Sequence, residues 1–153
     1  MDDTERHAML SLLLSGLIAT AAVQERHPAP ASPPAGVGIV VHEADVRVRQ
    51  VPPHNGTGMS TAYRISDVAP NRGMEFRKRV MHPGASIGLH VIAHDEVYHV
   101  VSGEGEVTSD GVTTRMKAGD TAYLYDGNNV GITQVGGEDL VLIIAYPLAE
   151  RRD

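Results

Sequence analysis

From Val37 to Tyr146 the chain is cut into short apolar pieces, the longest unbroken run being Leu140–Tyr146. The pieces include VGIVV (37–41), VRVRQV (46–51), STAYRI (60–65), MEFRKRVM (74–81), ASIGLHVI (85–92), EVYHVVSG (96–103), VTTRMKA (112–118), GITQV (131–135) and DLVLIIAY (139–146). Clusters rich in Gly, Pro, Asn and Asp separate them, among them PPHNGTG, HPG, AGD and DGNN. Strand-length pieces at this spacing, with no helical pattern of useful length between them, predict an all-β sandwich or barrel and argue against βαβ units. Asp110-Gly111 between GEVTS and VTTRM predicts a two-residue hairpin, because Gly accepts positive φ. Leu140–Tyr146 reads as a central strand buried on both faces.

The chain has 153 residues, room for one ordinary domain. Its net charge is −6, with no dense basic cluster, which argues against a nucleic-acid partner. With no cysteine there can be no disulfide, iron–sulfur cluster, thiolate zinc site or Cys nucleophile.

The first 36 residues differ from the rest. Ala8–Val23 is apolar on all sides, yet short of the roughly 20 residues of a spanning helix. Ala19-Thr20-Ala21 fits a signal-peptidase site. Residues 1–21 are therefore expected to be a signal peptide, 22–36 a Pro/Ala-rich linker and 37–150 the folded domain, with a periplasmic or secreted location and no stable membrane span. The acidic start, MDDTERH, is unusual for such a signal. A misplaced start codon or a packed terminal helix are the alternatives, and without cleavage the location is cytoplasmic.

The chemistry concentrates in Gly84–Gly103, GASIGLHVIAHDEVYHVVSG. Read as a hairpin turning at Ala93-His94-Asp95, it pairs Ile92 with Glu96 and His90 with Tyr98. Alternation then puts His90, Ile92, Glu96 and Tyr98 on one face, with His90 and Glu96 as diagonal neighbours. Two polar groups facing an apolar interior must satisfy each other or a ligand. They could act as an acid/base pair, or form only a structural hydrogen bond.

This segment resembles motif 1 of the cupin superfamily, G-x5-H-x-H-x3/4-E-x6-G, with Gly84, His90, Glu96 and Gly103 on its positions and Ile92 in place of the second His. Motif 2, G-x5-P-x-G-x2-H-x3-N, is matched at Gly119 and Gly127, with Val130 for its His and Gln134 for its Asn. The resemblance implies a single-domain jelly-roll barrel, a double-stranded β-helix, with an interior pocket and often a homodimeric state. Metal-holding cupins use three His and one Glu, of which this chain keeps one His and the Glu. The resemblance thus implies a depleted site, with no cofactor or a weakly held divalent metal, Fe, Mn, Zn and Ni being indistinguishable.

The first expectation is a small-organic-ligand binder with His90 and Glu96 as the reactive pair and Tyr98, Tyr123, Tyr125, Ile92 and Val130 lining the pocket. The alternatives are a metal-dependent enzyme, of oxygenase or sugar-isomerase type, using His90, Glu96 and His94, and a non-catalytic structural dimer. His94 is otherwise a solvent-exposed turn residue. Arg77 and Arg79 share a face of MEFRKRVM, either as an anion-binding strand or, the plainer reading, as a solvated edge strand guarded by charge.

Overall fold

A computed structural model describes residues 37–149; the apolar N-terminal segment and the Pro-rich stretch, with the signal and linker expected there, lie outside the described residues. The strands are β1 (Arg47–Gln50), β2 (Ser60–Tyr63), β3 (Met74–Met81), β4 (Ser86–Val91), β5 (Glu96–Ser102), β6 (Glu104–Ser109), β7 (Val112–Lys117), β8 (Thr121–Leu124), β9 (Asn129–Val135) and β10 (Leu140–Pro147). They form a six-stranded sheet, β1-β2-β3-β10-β5-β8, and a four-stranded sheet, β4-β9-β6-β7. Every pairing is antiparallel. One apolar cluster joins them: Met81, Tyr98, Leu142 and Ile144 from the larger sheet meet Ile87, Val107, Val130 and Ile132 from the smaller. Alternation along each strand puts these side chains inward, which is why short apolar pieces suffice to build a core.

The β6–β7 hairpin turns at Asp110 and Gly111, both at positive φ, as the sequence predicts. β10 runs between β3 and β5, a central position, but only its alternate residues from Leu140 to Ile144 are fully buried. Its other face is partly covered, so burial on both faces is corrected to burial on one. VGIVV (37–41) forms no strand, and Val40 is left exposed.

The hairpin expected around residues 93–95 is also corrected. β4 pairs with β9 in the smaller sheet, whereas β5 pairs with β10 and β8 in the larger. His90 sits opposite Val130, and Glu96 opposite Leu124. Residues 92–95 are therefore an arch between two facing sheets. Its start is tied to a different loop: Ile92 N–H donates to Asn128 O at 3.0 Å and Gly127 N–H to Ile92 O at 2.9 Å.

Two positions within the motifs hold the backbone together. Gln134, buried, donates through Nε2 to the carbonyls of Val135, Gly136 and Glu138, and its Oε1 accepts from Gly84 N–H at 2.9 Å. Gly103 has φ +75°, and a Cβ there would lie 2.2 Å from Asp139 O. Both the backbone conformation and the space exclude a side chain. Gly103→Ala is expected to cost roughly 2–4 kcal/mol, measured by urea unfolding; a loss below about 0.5 kcal/mol would contradict the packing described.

Candidate functional site

A cavity of about 320 Å³ opens between the two sheets. That is the small end of the range for ligand pockets, roughly 300–1,000 Å³. Its polar lining is His54, Arg77, Arg79, His90, His94 and Glu96. Ile87, Ile92 and Ile144 supply apolar wall, with Tyr98 and Tyr146.

His90 reaches the cavity through an irregularity. Ile87 and His90 both line it, although strict alternation would place residues three apart on opposite faces. The β4–β9 register shifts between Ile87 and His90, a bulge that re-aims the following side chain. Nδ1–H of His90 donates to Gly88 O at 3.0 Å, which leaves Nε2 with its lone pair free. His54, on the β1–β2 loop, lies flat against His90, with ring centroids 3.4 Å apart and 4° between planes. The approach requires Gly88, where a Cβ would stand 1.8 Å from His54 O. Burial, followed by the charges of His90 and Arg79, lowers the His54 pKa.

Glu96 enters from β5 and is 5% exposed. Burial pushes its pKa up to about 7, with Arg77 acting in the opposite direction. Its Oε2 is 3.6 Å from His94 Nε2, a buried ring nitrogen with no hydrogen-bond partner. His94 stacks on Tyr146 at 4.1 Å, and burial lowers its pKa, so it stands neutral. A protonated Glu96 offers an O–H to that nitrogen across a gap about half an ångström too long for a good hydrogen bond.

The acid/base residues thus share one cavity from facing sheets, without a hydrogen bond between them among the described residues. Each has its own imidazole neighbour: His54 for His90, His94 for Glu96. Tyr98, 1% exposed, and Ile92 line the same cavity. Val130, the cross-strand partner of His90, is buried in the core and not in the cavity lining, so its expected place there is corrected. Tyr123 and Tyr125 lie outside the cavity, 53% and 64% exposed, and Tyr123 donates its hydroxyl to Asp95 at 2.6 Å. Their expected place in the pocket is corrected.

β3 corrects the plain reading of the charged strand. It lies between β2 and β10, not at an edge, and alternation turns Glu75, Arg77, Arg79 and Met81 inward. Arg79 is buried and Arg77 lines the cavity near Tyr146. His54 and Tyr146 were not singled out from sequence. The His54 loop lies 36 residues before His90 in the chain, and Tyr146 ends a run that reads as core.

The model of the family described as "Cupin domain" matches residues 78–146, the stretch containing β4, β5 and both motif regions. Over that stretch the chain is similar to a cupin domain. A Thermotoga maritima protein named oxalate-binding protein is 29% identical over 109 residues, covering 69% of this chain and 90% of that one. Among solved structures, a predicted oxalate decarboxylase from Thermotoga maritima superposes with TM-score 0.64 at 25% identity, covering 72% of this chain and 99% of that one. A cupin 2 conserved barrel domain protein from Salinispora arenicola gives TM-score 0.54 at 26% identity, over 59% of this chain and 76% of that one.

Cupins often hold a metal, and the donors here can be tested for fit. His54 and His94 restore three imidazoles to the cupin cavity beside Glu96, but not a coordinating arrangement. Among the described residues no group of three or more His, Cys, Asp or Glu is placed to hold a metal ion. The rings of His54 and His90 are parallel, so their in-plane lone pairs lie in separate planes, while coordination needs them to converge. The set expected from sequence, His90, Glu96 and His94, does not fit a divalent cation in these positions.

Proposed function

We propose that this protein binds one small organic molecule in the cavity between its sheets. Glu96 is the proton donor and His90 the proton acceptor for slow acid/base turnover of what is bound. The observation that carries this is Glu96 itself: a carboxyl 5% exposed, facing a cavity, with no side-chain hydrogen bond relieving its burial among the described residues. A group held like that stays substantially protonated at neutral pH and can donate. His90, with Nδ1–H fixed on Gly88 O, offers the complementary lone pair at Nε2. The name of the oxalate-binding relative supports a small organic acid as the ligand, and oxalate as the first compound to try.

A thermal-shift screen with small organic acids, sugars and phenols tests the proposal. A ligand that binds only the native state raises Tm, by roughly 3 kcal/mol of added stability at a hundredfold excess over Kd. The expected result is a shift from an organic acid that Glu96→Ala abolishes. No shift from any class would contradict it. Export through cleavage after Ala21 is proposed on the sequence alone, and N-terminal sequencing of protein from cells checks it. A homodimer is likewise proposed only on family resemblance.

A further inference from the structure

Charge along the inward face of β3 is unevenly paired. Along the inward face of β3, Glu75 is 1% exposed in its side chain and is paired with both Arg77 and Arg72. Arg72 also meets Asp67 at 2.9 Å. These carboxylates and guanidiniums answer one another. Arg79 has no such answer. It is 4% exposed, and its one side-chain hydrogen bond among the described residues runs from Nη1 to Ser60 Oγ at 2.8 Å. The charges that bear on it are those of Arg77 and Arg64, both repelling; Tyr98 alone acts in the other direction. Burial and these repulsions lower its pKa to about 10, so it remains a cation at any physiological pH.

A guanidinium carries five N–H donors in a planar fork, and taking it out of water without a counter-ion is strongly unfavourable. Such a group is retained at a cavity wall where something negative arrives. Glu96 does not fill that role, because burial holds it half-protonated near pH 7 and its cationic neighbour is Arg77 rather than Arg79.

We propose that Arg79 is the anchor of an anion subsite and that the ligand is a small carboxylate, one carboxylate group seated on the Arg79 fork. This assignment rests on the ligand-bearing cavity proposed above. The planar fork matches a carboxylate with two parallel hydrogen bonds. The planar fork, beside walls formed by Ile87, Ile92 and Ile144, suits a planar carboxylate better than a tetrahedral phosphate. Arg77 is already engaged with Glu75 and supplies field more than a free fork.

Calorimetric titration at pH 6 with oxalate, malonate, the uncharged isostere malonamide and inorganic phosphate tests the assignment. The expected result is binding of oxalate or malonate, at least tenfold weaker binding of malonamide, and weaker binding of phosphate. Arg79→Gln should lose at least tenfold in carboxylate affinity. Arg79→Lys, which keeps the charge without the fork, should fall between. The wild-type comparison of malonate with malonamide needs no variant and stands whether or not the substitutions fold. Malonamide binding as tightly as malonate would overturn the anion assignment, and phosphate binding more tightly than either carboxylate would overturn the carboxylate assignment, each leaving a ligand-bearing cavity in place. A wild type that binds neither these compounds nor any member of the thermal-shift panel would overturn both.

Discussion

Glu96→Gln is expected to gain stability over the wild type as pH rises, the difference between the two growing by about 2–3 kcal/mol between pH 5 and pH 8. The sign follows from the buried carboxyl. Its pKa is raised from an ordinary 4.5 to about 7 in the folded protein. From pH 4.5 to 7 the unfolded chain releases this proton while the folded chain keeps it, so stability falls with rising pH across that window. The stability conferred by the protonated form is fully present below 4.5 and gone once pH has passed about 7. Gln cannot ionise and carries no such slope. The groups facing Glu96 are His94, Arg77, Tyr98 and Tyr146. Arg77 favours the carboxylate, whereas burial of the site, the largest influence, favours the acid. Urea unfolding of both proteins at several pH values measures the difference directly. Parallel curves from pH 5 to pH 8 would show that Glu96 ionises freely, and its role as a proton donor at neutral pH would fall.

Two arginines on the same face of β3 should respond in opposite directions to the same substitution. Arg79→Met is expected to stabilise the protein by roughly 1–3 kcal/mol, because it replaces a buried unpaired cation with an apolar side chain of similar reach. Nothing is orphaned by the change: Ser60 Oγ keeps its own hydrogen bond to Gln50 O at 3.0 Å. Arg77→Met is expected to destabilise by roughly 2–4 kcal/mol, since it strips one partner from the fully buried Glu75. Arg72, which remains at 3.2 Å, limits the loss. The stabilised Arg79 variant should at the same time lose carboxylate binding, the trade expected where a strained charge is kept for function. Chemical denaturation of both variants is the check. An Arg79→Met protein less stable than wild type by more than about 1 kcal/mol would mean that the cation serves the fold.

Local residue chemistry made the broad architecture legible. The Gly-, Pro- and Asp-rich breaks delimit most of the strands, and the Asp110-Gly111 turn and the glycine framework around Gly84 and Gly103 point to a cupin barrel. What the sequence could not show were relations between distant segments. Alternation along residues 87–102 is the same for a hairpin and for an arch between facing sheets, so the pairing of β4 with β9 was invisible. The bulge that turns His90 inward leaves no local mark except Gly88, whose missing Cβ admits the His54 loop. The inward face of β3 reads as a charged edge until its second neighbour, β10, is known to cover it. Tyr123 on β8 and Tyr125 just after it alternate as pocket residues would, but Ala122 and Leu124 take the core-facing side and leave the tyrosines to solvent.

The most direct test of the central claim is a crystal structure of the protein soaked with oxalate. It should show planar density in the cavity, one carboxylate group on the Arg79 guanidinium and the other end within hydrogen-bond reach of Glu96 or His90 Nε2. Oxalate absent from a cavity filled by repacked side chains, or a divalent cation held there by His90, His94 and Glu96 with no organic molecule beside it, would contradict the account.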